Sequence, residues 1–140
     1  MTNEEFYGAS YGRLQVVEQA AGAMIFDSIH DIDGSDANLV KYISHRIKDA
    51  DSTIEKLKRH GLPCTVENAL TTLTDIVGYR VVVRFLSDLY TIKARIESSE
   101  FLKVILVKDY VTNPKPNGYR AIHLIVNVDV GGMSTPVEIQ

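Results

Sequence analysis

The side chains best suited to chemistry lie between residues 108 and 126, in the stretch KDYVTNPKPNGYRAIHLIV. They are three cations, an amide, an aromatic ring and an imidazole, namely Lys108, Lys115, Arg120, Asn117, Tyr119 and His123. The pair Asn117-Gly118 is a strong turn signal, and β-rich segments lie on both sides of it, so the stretch predicts a hairpin. A turn requires only its Asn-Gly pair. The surrounding cations and ring therefore indicate a site for a phosphorylated ligand that carries a ring.

Five segments are predicted as the strands that position these residues: 40–48, 76–85, 102–107, 121–130 and 137–140. Side chains alternate between the two faces of a strand, so these segments predict a sheet with one apolar face under helices and one polar face. The polar face would collect Arg46, Lys48, Arg80, Arg84, His123, Glu138 and Gln140. A face that simply meets water is the alternative. That alternative would favour a mixture of lysine, glutamate and threonine, so a functional face is preferred.

Helix starts are predicted from capping signals. Thr2 with Glu5 and Ser52 with Glu55 form capping boxes, and Ser87 is expected to cap a further helix. The first helix would bury a stripe formed by Leu14, Val17, Ala21, Met24 and Ile25. A short helix is expected at residues 67–73.

Composition favours one soluble domain, because 140 residues with 45% hydrophobic content can build a sizeable core. The net charge of −3 argues against general attraction to nucleic acid or anionic membrane. No signal peptide and no apolar run of ~18 residues is visible, so a cytoplasmic protein is expected. The single cysteine, Cys64, is not expected to be functional. Residues 31–36 (DIDGSD) place glycine too early for a calcium loop, so a polar turn is expected.

Four segments together resemble the RelA/SpoT-type alarmone synthetases, in particular their small stand-alone members. They are SHRIKDADSTIEKLKRHG (residues 44–61), DIVGYRVVVRFLSDLY (75–90), the hairpin stretch (108–126) and PVEIQ (136–140). The resemblance implies a nucleotidyltransferase-like α/β (α+β) fold, with a mixed sheet of about five strands and helices on its apolar face. It also implies transfer of pyrophosphate from ATP to the ribose 3′-hydroxyl of GTP or GDP, with release of AMP.

The resemblance further implies a role for individual residues. ATP would be bound by Arg46, Lys48, Ser52, Lys56 and Arg80. Magnesium would be held by Asp75 and Glu138, and Glu138 could also act as the base. GTP or GDP would be bound by Lys108, Lys115, Asn117, Tyr119, His123 and Gln140. Guanine would stack on Tyr119, an interaction of ~1–3 kcal/mol per base in other sites. Simpler structural roles remain open, since Ser52 is explained by helix capping and Lys56 by solvation.

Two rival functions remain open. One is a toxin-like relative that modifies adenine nucleotides or tRNA, and the other is an inactive nucleotide-binding regulatory module. The pair His30-Asp31 is read as a chance match to metal-dependent hydrolases of the HD type. The whole chain, 1–140, is expected to be a single synthetase catalytic domain. Members of the family continue past the position of Gln140 with helices that often mediate tetramers. This sequence does not include those helices, so a homo-oligomer, although possible, is doubtful.

Overall fold

A computed structural model of the chain describes residues 1–30 and 39–140, so the expected turn at residues 31–36 lies outside the described residues, as does Asp31. Five helices and five strands follow one another along the described part of the chain. Their bounds are α1 Asn3–Tyr7, α2 Ser10–Ile29, β1 Val40–Ile47, α3 Ala50–Arg59, α4 Val66–Thr72, β2 Val77–Val83, α5 Leu86–Glu97, β3 Lys103–Asp109, β4 Ile122–Val130 and β5 Met133–Ile139.

The five strands form one mixed sheet in the order β1-β2-β5-β4-β3. Only β2 and β5 are parallel; the other three neighbouring pairs are antiparallel. The predicted α/β class, with a mixed sheet of about five strands, is confirmed. Gln140 continues the parallel pairing beyond β5. Its N–H donates to the Tyr79 carbonyl at 2.8 Å, and its carbonyl accepts from the Val81 N–H at 2.8 Å.

The apolar face of the sheet holds the core, with α2 and α5 packed on β2 and β4. The predicted alternation is confirmed by the buried residues Val77, Tyr79, Val81, Ile122, Leu124, Val126 and Val128. One residue departs from it. Ile125 lies on the opposite, polar face, between Leu106 of β3 and Glu138 of β5, yet it is only 1% exposed. The polar face therefore has a buried apolar residue near its centre.

The N-terminal segment forms two helices where the sequence predicts one. The capping box of Thr2 and Glu5 begins α1, as predicted. Gly8 then ends α1 with a φ of 54°, a backbone conformation that favours glycine. Four members of the predicted stripe, Leu14, Val17, Ala21 and Ile25, are buried on α2, and Met24 is partly buried against the same core.

Two predicted helix starts are wrong by a few residues. The N-cap of α3 is Asp49 and not Ser52, because the Asp49 carboxylate accepts a hydrogen bond from the Ser52 N–H at 3.2 Å. The N-cap of α5 is Phe85 and not Ser87, and the Asp88 carboxylate accepts from the Phe85 N–H at 3.2 Å. An aspartate accepts a charge-assisted bond and also favours the positive end of the helix dipole, so it outcompetes a nearby serine.

The last two strands are joined by a glycine turn that the sequence analysis did not identify. Gly131 and Gly132 have φ values of 59° and 79°, which residues with a side chain rarely adopt. The strand predicted at 137–140 therefore begins earlier, at Met133. Among the helices of the described ranges, none has both the length and the apolar character needed to cross a membrane.

Candidate active site

A cleft of about 390 Å³ opens on the polar face of the sheet. Its floor is set by strand register, because Arg46 of β1 and Glu138 of β5 both lie opposite Gly78 of β2. A Cβ built on Gly78 would meet no atom within 4 Å, so the absence of a side chain leaves open space there. The predicted site residues that line the cleft are Arg46, Asp75, Arg80, Glu138 and Gln140.

Asp75 lies just before β2 and is the centre of the charged groups at one end of the cleft. Its Oδ2 accepts hydrogen bonds from Lys48 Nζ at 3.1 Å and from Lys56 Nζ at 2.9 Å. Lys48 directly follows β1, and Lys56 lies on α3, so three separate segments converge on one carboxylate. The structure thus brings together two lysines predicted to bind ATP and an aspartate predicted to bind magnesium.

The two oxygens of Asp75 have different surroundings. Oδ1 is buried and has no hydrogen-bond partner. Burial alone would raise the pKa of Asp75, but the hydrogen bond from Lys56 and the charges of Lys48 and Lys56 outweigh it, so the pKa lies below its ordinary value. Asp75 is therefore an ionised carboxylate with one acceptor atom left to satisfy.

A buried, partnerless carboxylate oxygen fits a hard cation such as Mg²⁺, which prefers oxygen ligands. Glu138, the second carboxylate, lines the same cleft. In the described ranges, no group of three or more histidine, cysteine, aspartate or glutamate residues could enclose a metal. Two carboxylates suit Mg²⁺ nevertheless, because this ion is commonly held by one or two carboxylates together with phosphate oxygens of a substrate.

Helix α1 holds the segment that carries Lys48 and the start of α3. The Tyr7 hydroxyl donates to the Lys48 carbonyl at 2.7 Å and lies 2.8 Å from the Thr53 hydroxyl, which must therefore be the donor in that second bond. Asn3 Oδ1 accepts from the Ala50 N–H at 2.8 Å. The sequence analysis missed Tyr7, because its partners lie 41 and 46 residues away and no local pattern links them.

Ser52 is engaged within the first turn of α3. Its hydroxyl donates to Asp49 Oδ2 at 2.9 Å. This hydrogen bond is the main reason why the pKa of Asp49 lies below its ordinary value. Ser52 therefore supports the N-cap residue, Asp49, and is not itself the N-cap. Its role in binding ATP stays a prediction.

Gln140 forms hydrogen bonds with two other residues that line the cleft. Its Oε1 accepts from Arg80 Nη2 at 3.3 Å, and its Nε2 donates to Glu138 Oε1 at 2.6 Å. The sequence had placed Arg80 with one nucleotide and Gln140 with the other. The hydrogen bonds from Arg80 to Gln140 and from Gln140 to Glu138 orient the Glu138 carboxylate.

The hairpin connection carries a cluster of three rings and a cation. The Tyr119 hydroxyl lies 2.9 Å from His123 Nε2. The Tyr110 ring packs edge-to-face against both, with ring centroids 6.1 Å from Tyr119 and 5.3 Å from His123. Lys115 Nζ lies 4.7 Å from the Tyr110 ring centroid and 5.5 Å from that of Tyr119, which is within cation–π range. We call these four residues the aromatic cluster.

Two further predicted residues support this cluster through the backbone. Asn117 Oδ1 accepts from the Tyr119 N–H at 3.0 Å, and Gly118 has a φ of 82°, so the predicted Asn-Gly turn is present. Lys108 of β3 lies opposite His123 of β4 in the strand ladder and is exposed. Tyr110 was not identified from the sequence, although an aromatic residue directly after Lys108 and Asp109 was a usable signal.

His123 belongs to the aromatic cluster and also interacts with charged residues that line the cleft. Partial burial is the main cause that lowers its pKa below the ordinary value; the carboxylate of Glu138 raises it, and the charges of Lys108, Lys115 and Arg80 lower it further. The imidazole is therefore neutral near pH 7. Neither Tyr119 nor His123 lines the cleft, so the predicted residues form two groups, and His123 interacts with the second group through the charges of Glu138 and Arg80.

Comparison with known proteins identifies the family. Residues 45–140 match the model described as the region found in RelA / SpoT proteins. The chain belongs to the RelA/SpoT family. The match covers the cleft and the aromatic cluster, whereas α1 and α2 lie before it. This confirms the family predicted from the four sequence segments.

Relatives within the RelA/SpoT family agree with the fold. GTP pyrophosphokinase YwaC of Bacillus subtilis is 37% identical over 93 residues, which are 66% of this chain and 44% of YwaC. Small alarmone synthetase 2 of B. subtilis superposes with a TM-score of 0.74 at 31% identity, over 92% of this chain and 69% of the other. Small alarmone synthetase 1 of B. subtilis, bound to its product pppGpp, superposes with a TM-score of 0.66 at 26% identity, over 96% and 66%. The chain spans less than half the length of YwaC.

Proposed function

We propose that this RelA/SpoT-family chain is a GTP pyrophosphokinase, which transfers pyrophosphate from ATP to the ribose 3′-hydroxyl of GTP or GDP. In this reaction the 3′-oxygen forms a bond to the β-phosphorus of ATP. The bond from the β-phosphorus to the oxygen that bridges to the α-phosphorus breaks, and AMP leaves. The observation that carries the proposal is Asp75, which lines a cleft together with Glu138, is bonded to two lysines through Oδ2, and has a buried Oδ1 without a hydrogen-bond partner.

The donor side of the proposed site is the end of the cleft around Asp75. Lys48 and Lys56 supply ammonium groups for the phosphates of ATP, and Arg46 and Arg80 line the cleft where adenine would lie between them. Phosphoryl transfer asks a protein mainly for positioning and charge neutralisation. Fixed cations from β1, β2 and α3 meet that requirement.

Mg²⁺ is the proposed cofactor, with Asp75 and Glu138 as its ligands. When bound, it would neutralise the charge that develops on the transferred phosphates. Glu138 is also the proposed base for the 3′-hydroxyl proton. The hydrogen bond from Gln140 Nε2 occupies Glu138 Oε1 and fixes the orientation of this carboxylate. We therefore propose both roles for Glu138, as a ligand of Mg²⁺ and as the base.

The acceptor side of the proposed site is the aromatic cluster. The exposed Tyr119 ring supplies a stacking surface for guanine, and Lys108 and Lys115 supply cations for its phosphates. The neutral His123 connects this cluster to the cleft in which the donor would lie. The names of the relatives, GTP pyrophosphokinase and small alarmone synthetase, support the same assignment. We place the activity in the cytoplasm, where both nucleotides are available.

The test uses ATP labelled at the γ-phosphate, with Mg²⁺ and a choice of acceptors: GTP, GDP, ATP or tRNA. The label is expected in a guanosine product, together with unlabelled AMP. Asp75→Asn should abolish the transfer and leave the circular dichroism spectrum unchanged. Asp51→Asn is the matched control, because the Asp51 side chain is 79% exposed, and it should retain turnover.

Other outcomes would each remove a part of the proposal. Label in a newly formed, pyrophosphorylated adenine nucleotide or in tRNA would favour the toxin-like rival. Binding of ATP without AMP release would favour an inactive regulatory module. Full turnover by the Asp75→Asn variant would take Asp75 out of the mechanism.

A further inference from the structure

Two positive charges oppose one negative charge at Asp75. Lys48 Nζ and Lys56 Nζ both bond to the same oxygen, Oδ2, at 3.1 and 2.9 Å. The three side chains are largely withdrawn from water, with 10%, 27% and 12% of the Lys48, Lys56 and Asp75 side chains exposed. The cluster of these three side chains therefore carries a net positive charge of one.

A free divalent cation would meet repulsion at this position. Charge–charge interactions between partly buried groups are several times stronger than in bulk water, so two ammonium groups beside Asp75 offset much of its attraction for a cation. Oδ1, the buried oxygen without a hydrogen-bond partner, lies on the same carboxylate, so a cation there would meet the same repulsion. The favourable partner for this net charge is an anion.

ATP changes that balance, because its phosphates offer the two lysines alternative acceptors. An ammonium group on a flexible stem can move from a carboxylate to a phosphate oxygen by rotation of its own side chain. Lys56 is the more exposed of the two and lies on the surface of α3, so it has room to do so. Once the ammonium groups face phosphate, Asp75 regains its full charge for a cation.

We propose that Lys48 and Lys56 close the cation site at Asp75 until ATP arrives, so that the divalent cation is bound together with ATP and not before it. This deepens the proposed function and rests on ATP being the donor. It gives the two lysines a second role, as gatekeepers of the metal ligand as well as phosphate contacts. It also predicts that removing one lysine improves the binding of a cation in the absence of nucleotide.

The experiment titrates Mn²⁺ alone into the nucleotide-free chain and follows the free ion by electron paramagnetic resonance. The unaltered chain should bind Mn²⁺ no more tightly than Asp75→Asn does. Lys56→Met should bind it about tenfold more tightly, the coupling expected for partly buried charges. The double variant Lys56→Met, Asp75→Asn should lose this gain.

Lys58→Met is the matched control. It removes the same charge from the same helix, but Lys58 is exposed, so Mn²⁺ binding should equal that of the unaltered chain. Lys56→Gln serves as a second variant, and thermal unfolding followed by circular dichroism establishes that each variant is folded. Asp75-dependent Mn²⁺ binding by the unaltered chain, as tight as that of Lys56→Met, would overturn the inference. A folded Lys56→Met or Lys56→Gln variant without a gain would overturn it too.

A second arm adds an ATP analogue with a methylene group between the α- and β-phosphates, which blocks the bond cleavage of the reaction. The resonance of the Mn²⁺–analogue complex should change with the unaltered chain and not with Asp75→Asn. No Asp75-dependent change would overturn the inference. Neither arm requires an acceptor or turnover. A chain that transfers pyrophosphate yet binds Mn²⁺ tightly before ATP refutes only this inference, whereas a chain that meets both binding expectations without any transfer refutes only the proposed function.

Discussion

Tyr119 combines a fixed position with an open ring. Its backbone N–H bonds to Asn117, its hydroxyl bonds to His123, and the Lys115 ammonium lies near its ring. The residue is still 39% exposed, so part of the ring is available to a base. A ring that is already held in place loses little conformational entropy when a base stacks on it, which favours binding.

Removing the ring of Tyr119 tests this role. Tyr119→Leu should raise the KM for GTP by about 5–150-fold, since stacking on an aromatic ring contributes ~1–3 kcal/mol per base. The KM for ATP should stay unchanged, because Tyr119 does not line the cleft around Asp75. Tyr119→Phe is the matched control and should retain most of the affinity. Equal losses in both variants would mean that the hydroxyl, and not the ring, binds the acceptor.

His123 gives the fold a specific dependence on pH. Its pKa in the folded chain lies below the ordinary 6.5, mainly because of burial. As the pH falls below 6.5, the unfolded chain therefore takes up a proton before the folded chain does, and stability decreases. The contribution is fully present above 6.5 and is lost as the pH falls through the folded pKa.

The measurement is the free energy of unfolding in urea at several pH values between 7.5 and 5, for the unaltered chain and for His123→Gln. The unaltered chain should lose more stability over this range than the variant. Parallel curves for the two proteins would contradict a lowered pKa for His123.

At the scale of elements, α1 acts as a clamp on the donor side of the site. It lies outside the region matched by the family model, yet Tyr7 and Asn3 bond to the segment that leads from β1 into α3. Tyr7 is 1% exposed, and burial is the main cause that raises the pKa of its hydroxyl, which therefore stays protonated and able to donate. Since α3 carries Lys56, the position of this lysine depends on α1.

Tyr7→Phe should destabilise the fold by about 1–3 kcal/mol, because it leaves a buried carbonyl and a buried hydroxyl without their partner. It should also raise the KM for ATP more than the KM for GTP, since the loosened element belongs to the donor side. Urea unfolding and steady-state kinetics measure the two effects. Tyr11→Phe, which removes the hydroxyl of the next ring along the chain, is the matched control. An unchanged stability of Tyr7→Phe would show that water replaces the hydroxyl.

At the scale of the whole molecule, Gly22 of α2 marks a close approach of the helical layer to the sheet. A Cβ at this position would overlap the Tyr79 hydroxyl of β2 and would lie 3.2 Å from its Cζ. Tyr79 is itself fixed, because its hydroxyl donates to the Glu18 carbonyl and the residue is only 5% exposed. The spacing between the two layers therefore requires glycine at position 22.

Gly22→Ala should destabilise the protein by about 1–3 kcal/mol, the usual cost of overpacking, even though alanine favours a helix by roughly 1 kcal/mol. Gly12→Ala is the matched control, because no atom lies within 4 Å of a Cβ there. It should stabilise the protein by up to about 1 kcal/mol. Urea unfolding compares the two. A stabilised Gly22→Ala variant would contradict the close packing of α2 on β2.

The sequence by itself determined the family, the mixed sheet and the two faces of its strands. The two faces rest on local patterns such as the alternation in β2 and β4, whereas the family and its mixed sheet rest on the four segments that resemble RelA/SpoT proteins. Arg46, Arg80 and Glu138 could be placed on one strand face because every second side chain of a strand shares it, whereas the roles of the site residues came from the resemblance to the family. The predicted cap of α3 at Ser52 was wrong, since Asp49 is an equally suitable cap residue and only the backbone geometry selects it.

Only the tertiary structure decided how those residues meet. Asp75 bonds to Lys48 and Lys56, Gln140 bonds to Arg80, and Tyr7 bonds to Lys48, in each case across segments far apart in the chain. The physical reason is that strand order and the packing of α1 on α3 are set by the burial of the whole core. A sequence shows which side chains share a face, but their distances arise when the layers close on one another.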